Sequence, residues 1–174
     1  MKKTEIIVIL HNIRSIHNVA SIFRTADAAG VKKIYLCGIT PAPMDRFGKI
    51  LTQFAKVSLG AEKSVEWESV KSPRATLALI EKLSARGGSA SGGKKDGYKV
   101  LAVEQSKNSI PYYKLNKSYS GGKFCLVVGN EVMGLPDSIL KKSDKILEIP
   151  MSGKKESLNV SVAFGIVIYG IIYR

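Results

Sequence analysis

Apolar residues follow two rhythms along this chain. Short β-rich runs at EIIVIL (5–10), KKIYLCG (32–38), YKVLAVEQ (98–105), KFCLVVG (123–129) and DKILEIP (144–150) alternate with stretches in which apolar residues recur every three to four positions. Compact runs read as buried strands and the longer period as helices packed on them. The pattern therefore predicts an α/β protein with a mainly parallel sheet and helices on both of its faces. In the first predicted helix Val19, Ile22, Phe23 and Ala26 share one face while Ser21, Arg24 and Ala28 lie on another; Asn18 is placed to cap its start and Gly30 to end it. Further helices are predicted over 46–57, 73–86 and 136–142, the last with Pro136 in its first turn.

A final helix is predicted over 157–173, and its composition is unusual. The run from Val160 to Tyr173 is almost unbroken apolar sequence, entered through Ser157, Leu158 and Asn159. It is shorter than the roughly 20 residues a bilayer requires and is interrupted by Ser161, Gly165 and Gly170, so protein must bury it. Ser161 and Gly165 stand four apart, which lets another helix or a symmetry mate approach closely. The opening MKKTEIIVIL imitates a signal peptide, but its apolar part ends at His11 and Arg14 follows, so it reads as a first strand. Cys37 and Cys125 each fall in a predicted core strand with no neighbouring Cys, or His at ligand spacing; reduced thiols in a cytoplasmic protein without a bound metal are expected.

Length and charge add two constraints. A chain of 174 residues, 45% of them hydrophobic, is long enough for one domain with a core of its own. Its 27 Lys and Arg against 14 Asp and Glu give a formal net charge of +13, which favours a polyanionic partner such as nucleic acid. The basic pairs Lys2–Lys3, Lys32–Lys33, Lys94–Lys95, Lys141–Lys142 and Lys154–Lys155 are candidates for phosphate contacts. Lys94 and Lys95 belong to RGGSASGGKKDGY, a Gly- and Ser-rich loop that nearly matches a nucleotide-triphosphate-binding loop. Lys95, however, stands where that motif needs Ser or Thr, and the predicted order is helix, loop, strand; a basic flap over RNA is the reading retained.

Three polar segments fall at predicted strand ends, where parallel α/β sheets place their ligands. HNIRSIHNVASIFRTADAAG holds Asn12, Arg14, Ser15 and Asn18 in a turn and then Arg24 on a helix. LVVGNEVMGLP breaks a strand at Gly129 into Asn130 and Glu131, with Gly134 a turn later; glycines here allow close approach of main chain to a ligand. EIPMSGKKESLNVSVAFG runs through a loop from Pro150 to Glu156 and delivers Ser157 and Asn159 to a helix start, where they can cap or contact a ligand. No G-x-G-x-x-G is present, so a Rossmann dinucleotide site has no support.

Taken together, NVASIFRTADAAG, VVGNEVMGLP and IPMSGKKESLNVSVA resemble, in order, the three motifs of the SpoU/TrmH group of the SPOUT superfamily, RNA ribose 2′-O-methyltransferases that use S-adenosylmethionine. The resemblance extends from Ile6 to Tyr169, and GYKVLAVEQS looks more like the tRNA enzymes of the group than the ribosomal RNA ones. It implies a fold whose C-terminal part forms a deep trefoil knot (the SPOUT fold), a cofactor bound bent within it, and a homodimer. Matched position by position, it implies catalytic roles for Arg24, Asn18, Glu131, Ser157 and Asn159. Cofactor contacts are implied, largely through main chain, around Glu104, Val128, Gly129, Asn130, Gly134, Ile149, Met151, Ser157, Leu158 and Asn159. RNA contacts fall to Arg14, Arg24, Lys94, Lys95, Lys154 and Lys155. Ala20 stands where many relatives carry Gly, and no separate N-terminal RNA-binding domain is seen, so recognition is expected from the catalytic domain, its dimer or a partner.

Methyl transfer to a ribose hydroxyl is an in-line displacement, so the protein must align the oxygen and ease loss of its proton. A guanidinium is a poor base but a good bidentate clamp, so Arg24 is expected to grip phosphate and ribose. Three alternatives stand beside this reading: the same reaction on ribosomal RNA, a non-catalytic RNA-binding module of the same fold, and methylation of a base.

Overall fold

The computed structural model describes residues 4–72, 74–84, 97–116, 119 and 121–173. Its elements run β1 (Thr4–His11), α1 (Ile16–Ala28), β2 (Lys33–Cys37), α2 (Thr52–Ser58), α3 (Ala61–Ser64), β3 (Glu66–Val70), α4 (Ala75–Leu83), β4 (Lys99–Val103), β5 (Ile110–Pro111), β6 (Gly122–Val128), α5 (Asp137–Leu140), β7 (Lys145–Glu148) and α6 (Val160–Ile172). The strands form one seven-stranded sheet in the order β3-β2-β1-β6-β4-β7-β5, with every pair parallel.

Side-chain alternation along the strands builds two cores. Ile6, Val8, Leu10, Ile34, Leu36, Leu101, Leu126 and Val128 point to the side covered by α1, α2, α3 and α6. Ile7, Ile9, Val100, Ala102, Cys125 and Val127 point to the side covered by α4 and α5. Because the side-chain period is two, a one-residue slip of β1 would exchange these sets, so the apolar pattern itself fixes the register. The fully buried rings of Phe23 on α1 and Phe54 on α2 meet edge to face at 5.2 Å, a pairing that adds about 1 kcal/mol to the area the rings bury. α6 packs on α1 within the chain, and at Gly165 a Cβ would meet Thr25 at an ordinary 3.8 Å, so glycine is not needed for that approach.

Several expected boundaries shift for identifiable reasons. The cap of α1 is Ser15, whose Oγ accepts the Asn18 N–H at 3.3 Å, and the Asn18 side chain is left for other work. The helix expected over 46–57 shortens to α2, because Asp45 and Gly48 turn the chain back on itself between Met44 and Ile50. Pro136 precedes α5 instead of lying inside it, and the last helix starts at Val160 behind Asn159, so Ser157 caps nothing. Of the helix expected over 73–86, α4 realises Ala75–Leu83, while residues 73 and 85–86 lie outside the described residues. Two strands escape the apolar pattern, β3 because its sequence EWESV is that of an exposed sheet edge, and β5 because it is two residues long and contains a proline.

Candidate functional site

At the C-terminal ends of β6, β4 and β7 the sheet opens into a cleft of about 220 Å³. Its floor depends on glycine. A Cβ on Gly129 would come within 2.7 Å of the Gly134 carbonyl carbon, and one on Gly134, which has a left-handed φ of 63°, would overlap the Glu104 carboxylate. That carboxylate accepts the N–H of Leu135 at 2.8 Å and of Gln105 at 3.0 Å, pinning the two ends of the cleft together. Asn130 shapes the loop between the glycines: its Oδ1 accepts the N–H groups of Val132 and Met133 at 2.9 Å, and its Nδ2 donates to the Asn12 carbonyl at 2.7 Å.

Glu131 then reaches across to the start of α1. One carboxylate oxygen accepts the Arg14 N–H at 2.9 Å; the other accepts the Ser15 N–H at 3.1 Å and Asn18 Nδ2 at 2.9 Å. Partial burial pushes the Glu131 carboxyl up, but these donors outweigh it and hold the group below the ordinary carboxylate range, so it is ionised at neutral pH. Asn18 Oδ1 in turn accepts from Asn159 Nδ2 at 3.0 Å, and Asn159 Oδ1 caps α6 by accepting the Ser161 N–H at 2.9 Å. One continuous chain of hydrogen bonds thus joins all three polar segments at the cleft rim.

The cleft is lined by Glu104, Val128, Gly129, Asn130, Glu131, Gly134, Ile149, Met151, Ser157 and Leu158, among others; Asn159 stands beside it as the cap. Sequence reading overlooked Gln105, which also lines the cleft and donates through Nε2 to the Glu156 carbonyl at 2.7 Å, tying the end of the 150–156 loop to the end of β4. Its only signal was its place beside Glu104 at a strand end.

Other expected site residues are not drawn into this network. Arg24 is exposed on α1 and makes no hydrogen bond or ion pair with the described residues. Six residues on from Asn18, it points about 120° away around the helix. Arg14 contributes its main chain while its side chain is exposed, and Lys154 and Lys155 are exposed on the 150–156 loop. Lys94 and Lys95, like Lys2 and Lys3, lie outside the described residues. Among the remaining basic pairs, three lysines are already paired with acid: Lys32 with Glu5 at 2.9 Å, Lys33 with Glu66 at 2.7 Å and Glu68 at 3.0 Å, and Lys142 with Glu81 at 2.8 Å. They are poorer phosphate contacts than the sequence suggested. Among the described residues, no helix is long and apolar enough to cross a membrane.

A parallel α/β sheet with a glycine-floored cleft at its C-terminal edge defines a ligand-binding α/β protein. The chain matches the SpoU rRNA Methylase family over residues 5–169 and belongs to that family of RNA 2′-O-methyltransferases. It is 32% identical over 97% of its length to a tRNA (guanosine(18)-2′-O)-methyltransferase of Aquifex aeolicus, spanning 69% of that protein. It is 28% identical over 96% of its length to a 23S rRNA (guanosine-2′-O-)-methyltransferase of Photorhabdus laumondii, spanning 59% of it. An AdoMet-bound rRNA methyltransferase from Sinorhizobium meliloti superposes with a TM-score of 0.78 at 24% identity, over 98% of this chain and 56% of that one.

Proposed function

We propose that this chain transfers a methyl group from S-adenosylmethionine to a ribose 2′-hydroxyl of RNA, with tRNA as the favoured substrate, and that its 174 residues act as one catalytic unit. The observation that carries the reading is the chain Glu131–Asn18–Asn159, which unites three sequence segments at the rim of one cleft. The cleft suits the cofactor: Gly129 and Gly134 let the loop after β6 pack directly against itself and against Glu104 at the end of β4, and Ile149, Met151 and Leu158 line the neighbouring wall. Bound there, S-adenosylmethionine supplies an electrophilic methyl group. Ser157, Gln105 and the Asn130 loop would orient it.

Arg24 would clamp the phosphate beside the target ribose and stabilise negative charge growing on the 2′-oxygen, the proton leaving to water. Since Arg24 faces away from the cleft of its own chain, we infer that it serves the cleft of a second copy in a homodimer. The outer face of α6 supports that arrangement, with Val162, Tyr169 and Tyr173 exposed at helical spacing. A knot is also part of the proposal. Ile110 of β5 pairs with Leu147 of β7, so the connection from β4 to β5 must cross the end of β7, from which the chain leaves for α6. Support for tRNA comes from the resemblance of the 97–106 segment, since tRNA and rRNA enzymes match the chain at similar identity.

The test is transfer of labelled methyl from S-adenosylmethionine to separated tRNA and ribosomal RNA lacking ribose methylation, with nucleosides identified by mass spectrometry. A 2′-O-methylnucleoside in tRNA is expected, and Arg24→Lys should fail nearly as badly as Arg24→Ala because lysine lacks the planar fork. Label in ribosomal RNA alone would overturn the substrate; no label in either, with cofactor bound, would overturn the enzymatic reading.

A further inference from the structure

The segment between β2 and α2 forms a small, rigid projection with no role in the site described above. Asp45 N–H donates to the Lys49 carbonyl at 2.9 Å and Gly48 N–H to the Asp45 carbonyl at 3.1 Å, closing a tight hairpin turn with Gly48 in the left-handed region at φ 78°. The Asp45 carboxylate also accepts the N–H groups of Phe47 at 2.8 Å and Lys49 at 3.0 Å. Four hydrogen bonds therefore fix a tip of two residues, Arg46 and Phe47. Burial does not explain what they carry: Phe47 is 80% exposed, and the Arg46 guanidinium lies 4.7 Å from its ring centre.

An aromatic ring held out into water costs free energy unless something covers it, and a fixed backbone means little entropy is lost when that happens. The surroundings select the occupant. Arg46 stands over the ring and Lys49 follows two residues on, while Asp45, the acid of this turn, is occupied by main-chain amides. A guanidinium on a ring that is otherwise exposed, with a lysine in the same turn, matches a stacked base and its phosphates, and the chain as a whole carries +13. The root of the projection is joined to the site: Asn12 Oδ1 accepts the Ile39 N–H at 3.1 Å and Thr40 Oγ1 accepts the Ile13 N–H at 3.1 Å, one residue before Arg14 donates to Glu131.

We propose that the 44–50 hairpin is an RNA-docking element in which an unpaired base of the substrate stacks on Phe47 while Arg46 and Lys49 hold its phosphates. The inference rests on the RNA-methylating reading above. It assigns substrate grip to a segment outside the three motifs, on the same edge of the sheet as the cleft.

The full chain, wild type and variant, is titrated with unmethylated tRNA by fluorescence anisotropy at several salt concentrations, alongside S-adenosylmethionine affinity, melting temperature and sedimentation. Phe47→Ala should weaken tRNA binding by about 5- to 150-fold, the range for losing one stacked base. Cofactor affinity and melting temperature should stay at wild-type values, since the ring is exposed and belongs to neither core cluster of the described residues. Phe47→Trp should restore binding and Phe47→Leu should not. Arg46→Ala should lower the salt slope by about one phosphate contact, and Phe47→Ala should leave it unchanged. Wild-type affinity in Phe47→Ala and Arg46→Ala, with the parent protein binding and methylating tRNA, overturns the docking element alone. A parent that binds no RNA overturns both readings, and dimer dissociation in Phe47→Ala would show that the ring meets a second copy of the chain instead.

Discussion

Two chains of polar side chains meet at the turn between β1 and α1, and they differ in almost every physical respect. On the α1 and α6 side, Glu131, Asn18 and Asn159 form an open chain at the cleft rim, anchored by an ionised carboxylate. On the α4 side, Asn12 Nδ2 contacts His11 Nε2 at 3.1 Å and His11 Nδ1 contacts the buried Thr76 hydroxyl at 2.8 Å, deep against the sheet. The first chain has charge and access to a ligand. The second is uncharged and half-buried, and it holds Asn12 in a left-handed conformation with φ 56°, from which the turn is launched. The proposed function gives the chemistry to the exposed chain and leaves geometry to the half-buried one.

If that division is right, the largest effect follows from removing the charged anchor. Glu131 organises Arg14 N–H, Ser15 N–H and Asn18 together. Glu131→Ala should lower methyl transfer about 100-fold, or ~3 kcal/mol, the upper range for hydrogen bonds to a charged group. Steady-state transfer to tRNA at saturating cofactor checks this. Activity within threefold of wild type would remove Glu131 from the site.

A tenfold smaller consequence is expected at Asn159, where the cap and the site can be separated. Asn159→Ala loses both the helix cap, worth ~1 kcal/mol, and the bond to Asn18. Asn159→Asp keeps an oxygen for the Ser161 N–H but has no N–H for Asn18. Thermal melts should therefore show Asp recovering the stability that Ala loses, while transfer assays show both about tenfold slow. Full activity in Asn159→Asp would reduce the residue to a cap.

How legible each part was depended on whether its signal was local. The core strands were plain because Ile7, Val127 and their neighbours are apolar in unbroken runs, and the cleft glycines because Gly129 interrupts such a run. Asn18 was assigned to a cap because its type and place fit one, yet Ser15 fills that role; only the fold, by bringing Glu131 and Asn159 beside it, shows what else it bonds. Strand order was out of reach for the same reason: β7 lies between β4 and β5 although it follows both, and no periodicity records that. The turn at Asp45–Gly48 was readable in principle from the spacing of Asp and Gly, and the helical period around Phe54 concealed it.

The smallest effect belongs to the buried chain and is a pH effect. Asn12 Oδ1 accepts the Ile39 N–H at 3.1 Å, which fixes the amide so that its nitrogen faces His11. His11 Nε2 must then accept, and the ring proton sits on Nδ1, donating to Thr76. The groups around it offer no countercharge: Cys37, opposite on β2, has its thiol pushed up by burial although Thr76 hydrogen-bonds it, and Glu68 and Lys71 act on that thiol from β3 and the residue after it. Burial accordingly pushes the His11 imidazole below its ordinary value. Below about pH 6.5 the unfolded chain takes up a proton at this position that the folded chain refuses, so stability falls as pH drops, by at most ~1.4 kcal/mol per pH unit. Glu5 and Glu131, both held below the ordinary carboxylate range, lose their contributions only at lower pH, which leaves the interval from pH 6.5 to 5.5 to histidine. Melting temperature should drop by about 2–4 °C more in wild type than in His11→Gln across that interval. Parallel melting curves for wild type and His11→Gln would show that the imidazole is not held neutral, and the buried chain would lose its claim to set the turn.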